Sequence, residues 1–171
     1  MQSQIKIVEK VKPIHGEFFL KIYKKGKLID TYNDHNLIVI VGRERLAHLA
    51  AGKSTDYIKY IGFGSGTRYL DQSLGRRLEN DNDTFLDDQQ LFELKTKNGD
   101  DPVEFDGVNV KFNFFIEENE AVGLSIRELG LFCVDGTMFT HRVRINSDMS
   151  KLLCIDKESD ISIEGYYILM F

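Results

Sequence analysis

A glutamate inside an apolar run is the most informative chemical feature of the sequence. Glu128 lies in Ile126-Arg127-Glu128-Leu129-Gly130-Leu131-Phe132, a stretch whose residue types favour strand. An ionised carboxylate on a half-buried sheet needs a cationic partner. A two-residue turn at Asp135-Gly136 sets Glu128 opposite Val143, with Arg142 and Arg144 diagonal to it. A bulge at Gly130 would set it opposite Arg142 instead. The expectation is a structural ion pair of Glu128 with Arg142 or Arg144. A catalytic acid would need a second placed carboxylate or a nucleophile.

The other chemical patterns read as structure. Ala47 to Ser54 fits a relaxed phosphate-loop expression, but here a helix precedes Gly52 where the chemistry needs a strand, so Gly52 is a helix cap. Gly62-Phe63-Gly64-Ser65-Gly66-Thr67 follows a strand, yet its spacing is G-x-G-x-G and no strong helix follows. It reads as a close backbone crossing where only glycine fits. The acidic run Glu79-Asn80-Asp81-Asn82-Asp83 could offer oxygens to calcium, but Phe85 stands where a ligand should be. The histidines His15, His35, His48 and His141 have no ligand spacing to one another, and His141 reads as packed between Phe139 and Val143. No G-x-S-x-G elbow occurs. Cys133 and Cys154 lie far apart, outside any CxxC or CxxH pattern; free thiols in a reducing cytosol are the expectation. The reading is a non-enzyme with no cofactor and no metal.

The composition narrows the class further. The chain has 171 residues, 42% apolar and 29% charged, enough for one packed domain without a disulfide or metal. The formal net charge of −5 argues against nucleic acid and against docking on anionic membranes. No apolar run approaches the roughly 20 residues that span a bilayer, and the N-terminus has no leader pattern.

The elements that position these groups are mostly strands. Residues 4–11 alternate, and β-rich runs at 18–23 and 28–32 flank a Lys-Gly turn, which predicts a hairpin. Asn36 opens the one helix, closing at Gly52, although the strand propensity of Leu37 to Val41 allows a start at Val41 or Gly42. Residues 57–63 are strand. A polar, acidic insert at about 67–90 should be mobile or ordered by a neighbour, with a helical hint at Leu74 and Leu78. Strands follow at 108–116, on both sides of Asp135-Gly136, and at 160–171. The sum is a mainly β chain: an antiparallel β-sandwich or barrel with one short α-helix. Residues 1–35 form N-terminal strands, as an arm or part of the sheet, and 36–171 the main β domain.

The hairpin at 124–145 has two apolar faces. One carries Ile126, Phe132, Phe139, Val143 and Ile145; the other carries Leu129, Leu131, Cys133 and Met138. A sheet with two apolar faces must be covered twice. A neighbouring subunit is one cover and the helix is another. Leu129, Leu131, Met138, Tyr166, Tyr167 and Phe171 are therefore the candidate interface residues.

Taken in order, these segments resemble the small tail-fibre and baseplate-associated proteins of tailed bacteriophages. The similarity runs through Asn36-Leu-Ile-Val-Ile-Val-Gly-Arg43, Tyr57-Ile-Lys-Tyr-Ile-Gly-Phe-Gly-Ser-Gly-Thr67 and Val110-Lys-Phe-Asn-Phe-Phe-Ile-Glu-Glu-Asn119. It continues in Ile126-Arg-Glu-Leu-Gly-Leu-Phe132, Asp135-Gly-Thr-Met-Phe-Thr-His-Arg-Val-Arg144 and Asp160-Ile-Ser-Ile-Glu-Gly-Tyr-Tyr-Ile168. The resemblance implies a virion structural protein made in the bacterial cytoplasm, self-associating and docking onto other tail proteins. Tyr166-Tyr167 stand where such proteins usually carry a tryptophan, Glu120-Ala-Val-Gly123 replaces their glycine-rich turn, and no distal shaft follows Phe171. The implied role is thus a fibre base, collar, adaptor or baseplate component. A free-standing carbohydrate- or ligand-binding β module is the alternative.

Overall fold

The computed structural model describes residues 14–70, 80–144 and 152–171. The elements in chain order are β1 (His15–Lys24), β2 (Lys27–Ile38), α1 (Ile40–Ala50), β3 (Ile58–Gly64), β4 (Gln90–Glu93), β5 (Val103–Asp106), β6 (Asn109–Ile116), β7 (Ser125–Ile126), β8 (Glu128–Cys133), β9 (Thr140–Val143), β10 (Ile155–Asp156) and β11 (Ile161–Met170). Nine strands form one antiparallel sheet in the order β4-β3-β8-β9-β2-β1-β11-β6-β5, and β7 pairs β10 apart from it.

The sheet curls into a half-barrel. The rings of Phe63 on β3 and Phe114 on β6 lie 6.2 Å apart, although these strands sit near opposite ends of the strand order. Phe92 on β4 joins Phe63 at 6.2 Å. Strand β11 shows why the interior is apolar: its burial alternates along its whole length, with Ile161, Ile163, Tyr167 and Leu169 buried. The chain passes from edge β4 to edge β5 through residues 94–102, and Lys95 ties this connection to Glu117 at 2.9 Å and Glu120 at 3.0 Å.

Several expectations change. Helix α1 starts at Ile40, not Asn36, because Leu37 and the β-branched Ile38 before it stay in the sheet, where Leu37 pairs His141 and Ile38 pairs Thr140. The division at 35/36 falls inside β2, and residues 15–35 are central to the sheet. The last strand, β11, is also central, hydrogen-bonded to β1 and β6, so it leaves no open edge. The alternation at 4–11 and the helical hint at Leu74 and Leu78 lie outside the described residues.

Both apolar faces of the β8–β9 hairpin are covered by the chain itself. Leu129, Leu131, Cys133 and Phe139 join the main core. Phe132 and Met138 pack behind the sheet with Val39 and Leu86. The register explains why Phe139 and Met138 exchange faces relative to expectation. Leu129 faces Arg142, but Phe132 bridges Met138, one residue short of the count from the turn. The candidate interface residues Leu129, Leu131, Met138 and Tyr167 are at most 1% exposed in the single chain, so the fold itself, not a neighbour, covers them. A charge at Leu131 should therefore unfold the domain rather than block an assembly, which a melt of Leu131→Glu checks.

Helix α1 lies on the sheet through Gly42. A Cβ there would sit 2.3 Å from the Phe139 carbonyl oxygen. Gly42→Ala should cost about 1–3 kcal/mol through overpacking, although alanine is the better helix former by about 1 kcal/mol. Urea denaturation measures the sign; a stabilised variant would mean the helix rests less tightly than this.

Candidate functional site

Among the described residues, a buried cluster of charge is built around Glu128, at the start of β8. Opposite it stands Val143, as expected, although the register reaches this pairing only after the shift between Phe132–Met138 and Leu129–Arg142. Residues that share a face with a directly paired residue are two positions away, so the same-face diagonal neighbour of Glu128 is His141. Arg142 and Arg144 project to the other side. The ion pair expected with Arg142 or Arg144 is thus corrected to one with His141. Its Nε2 lies 2.8 Å from Glu128 Oε2, and both side chains are fully buried.

The second ring nitrogen of His141, Nδ1, lies 2.7 Å from Asp83 Oδ2. The remaining acceptor of Glu128, Oε1, takes the backbone N–H of Asp87 at 2.6 Å and of Gly66 at 3.2 Å. Arg68 places Nη2 3.5 Å from Glu128 Oε2 and Nε 3.5 Å from Asp87. Its guanidinium stacks between the rings of Tyr69 at 5.0 Å and Phe85 at 4.7 Å. Ser65 donates to Asp88 at 2.5 Å. The glycine run earlier read as a close crossing serves this cluster: a Cβ on Gly64 would meet Leu86 at 2.6 Å and Glu128 Oε1 at 2.7 Å.

Chemically, the arrangement is a clamp. A histidine with a carboxylate on each ring nitrogen is held as the imidazolium, with no nitrogen left to take a proton from a substrate. Burial alone would lower the His141 pKa, but the hydrogen bonds and charges of Asp83 and Glu128 outweigh it and hold it above the ordinary 6.5. Burial would likewise raise the Asp83 carboxyl, but His141, the Asn80 N–H and Arg68 bring it below the ordinary 3.8. The Tyr69 phenol, whose ring centre is 6.2 Å from that of His141, is raised by burial and the nearby Asp83.

These directions fix the sign of a pH effect. The His141 contribution is complete below pH 6.5 and is lost as pH rises through its raised pKa. The Asp83 contribution is complete above 3.8 and is lost as pH falls through its lowered pKa. Stability should therefore decline as pH rises above 6.5, and His141→Gln should flatten that decline. Urea midpoints from pH 5 to 9 test this; an unchanged alkaline slope in the variant would contradict it.

The acidic insert is also explained in part. Of its described residues, 67–70 and 80–90, Asp83 contacts His141 and Asp87 contacts Arg68 of the same chain. Among the described carboxylates of the calcium candidate, Asp81 pairs Arg43 at 3.1 Å and Asp83 is taken by His141. No group of three metal-ligating side chains occurs among the described residues. Arg142 pairs Asp34 on β2. Arg144 is buried with its guanidinium 4.6 Å from the Tyr32 ring centre, and burial lowers its pKa. Cys133 is buried, its thiol pushed up to about 12, while Cys154 is exposed; both are free thiols.

A second feature lies at one end of the half-barrel. A cavity of about 390 Å³ opens between α1, the start of β3 and the β5–β6 hairpin. Its floor includes the buried Phe112, Cys133, Phe139 and Leu169. Its rim carries Leu49, Tyr57, Phe105 and Phe171, from 40% to 76% exposed. Of the interface candidates, Phe171 alone is exposed here. Tyr166 is half-buried, with Phe19 at 5.6 Å and Lys111 over its ring. Arg45, the one charged side chain among the described residues of the lining, is engaged by Asp135, by Asp56 at 3.6 Å and by Thr137 at 3.0 Å.

No protein-family model, curated protein or solved structure matches the chain.

Proposed function

We propose that the protein is a non-enzymatic structural component of a phage tail, at a fibre base, collar, adaptor or baseplate, acting through self-association and docking onto other tail proteins. The observation that carries this reading is the apolar rim of Tyr57, Phe105 and Phe171 around an apolar cavity. Contiguous exposed apolar surface of this kind marks an interaction site. The buried charge cluster supports the same reading, since it fastens a loop and spends its titratable groups in doing so. The ordered resemblance of the segments to tail proteins supplies the biological setting.

The cavity also favours a second reading, a free-standing ligand-binding module, but not a carbohydrate one. Apart from the already engaged Arg45 its lining gives a sugar almost nothing to hydrogen-bond. Light scattering on the purified chain, alone and with candidate tail proteins, separates the two readings. A structural component forms a defined oligomer or complex. A chain that stays monomeric with every tail protein and binds a small apolar ligand instead would favour the module.

A further inference from the structure

We infer that the outer edge of β5, together with the cavity beside it, receives one extended strand from a different protein, apolar on one side and basic on the other. This deepens the docking half of the function proposed above.

The first ground is the edge itself. Strand β5 ends the sheet order, and Glu104, Phe105 and Asp106 are exposed. Its register with β6 closes a two-residue turn between Asp106 and Asn109. In such a hairpin the closing pair and every second pair after it exchange hydrogen bonds. Glu104 therefore bonds inward to Lys111, and the backbone of Phe105 faces outward. The Val103 N–H is already taken by Asp101 at 2.9 Å. Open edges are templates for another strand.

The second ground is side-chain parity. Val103 and Phe105, opposite Phe112 and Val110, all line the cavity. An added strand would bring its alternate side chains over that cavity and close the half-barrel at this end. These side chains must be apolar, because Arg45 is already neutralised by two aspartates.

The third ground is charge. The other side of β5 presents Asp106 and Glu104, the latter paired with Lys111 at 3.3 Å, and exposed Asp100 and Asp101 lie just before the strand, so carboxylates outnumber the lysine there. The side chains of the incoming strand on that side must be basic. The described strands of a second copy are a poor source. The opposite open edge, β4, is Gln90-Leu91-Phe92-Glu93, with no basic residue, and each copy carries a net charge of −5.

The test is fluorescence anisotropy with the full chain and a labelled peptide, Lys-Ile-Lys-Ile-Lys-Val-Lys. Saturable binding that weakens with salt is expected. Phe105→Pro, which removes the outward N–H, should weaken it about ten-fold, the worth of one well-made hydrogen bond. Leu49→Trp, which narrows the cavity from the helix surface, should weaken it similarly. Circular dichroism confirms that each variant is folded; if Phe105→Pro is not, Leu49→Trp decides. A peptide with glutamate for lysine should not bind. The proposal is overturned if the peptide does not bind, or if both folded variants bind it unchanged. It is also overturned if a peptide of the same composition without alternation binds equally well. Self-association of the chain, abolished by the same variants, would assign the edge to a second copy and overturn the choice of partner. Peptide binding reads the surface alone, so its failure is separate from failure of the tail-protein reading.

Discussion

Glu128→Ala is expected to destabilise the protein by about 3–5 kcal/mol, the range for breaking a buried ion pair by removing one partner. The truncation leaves His141 with one carboxylate instead of two and removes the acceptor from the N–H groups of Gly66 and Asp87. It also takes away the charge facing Arg68. Glu128→Gln should lose less, because the amide oxygen can still accept from the loop. The double variant Glu128→Leu with His141→Leu should recover part of the loss, since it removes both buried charges together. Urea denaturation of the four proteins decides. A loss under about 0.5 kcal/mol for Glu128→Ala would mean the side chain is at the surface.

Phe63→Ala is expected to cost about 3–5 kcal/mol, as for other buried aromatic truncations. Phe63 is fully buried, and its ring meets Phe92 from the neighbouring strand and Phe114 from across the half-barrel. It therefore joins the two flanks of the curled sheet. Phe105→Ala, at a 76% exposed position, should leave stability within about 0.5 kcal/mol. Thermal melts of the pair test the curl directly. Equal small effects would mean that β3 and β6 do not face one another.

Local patterns made much of the fold legible. The lysine-glycine turn after Lys24, the alternation from Val110 to Ile116 and the Asp135-Gly136 turn each name their strands; the loop at Asp135-Gly136 is one residue longer than a two-residue turn, and a register shift before Leu129 and Arg142 restores Glu128 opposite Val143. Glu128 also stood out as a carboxylate in need of a cation. The identity of that cation was within reach, since strand parity selects His141 over Arg142 and Arg144. The rest of the cluster was not. Asp87 and Asp83 meet Glu128 and His141 across 41 and 58 residues of chain, through an insert with no periodicity to announce where it folds back. The central place of β11 was hidden for a related reason. A strand rich in alternating apolar residues looks the same at an edge and in the middle, and only the order of pairing distinguishes them. The helix start failed at Asn36 because Leu37 and Ile38 were counted for helix while β9 was there to pair with them.

The most direct test of the proposed role is to purify phage particles from a lysate in which the gene is expressed and to quantify the chain by mass spectrometry across a density gradient. The account predicts that the chain stays with intact particles at a constant ratio to the other tail proteins, and that tails assembled without it are incomplete. A chain found wholly in the particle-free fractions, with tails complete in its absence, would contradict it.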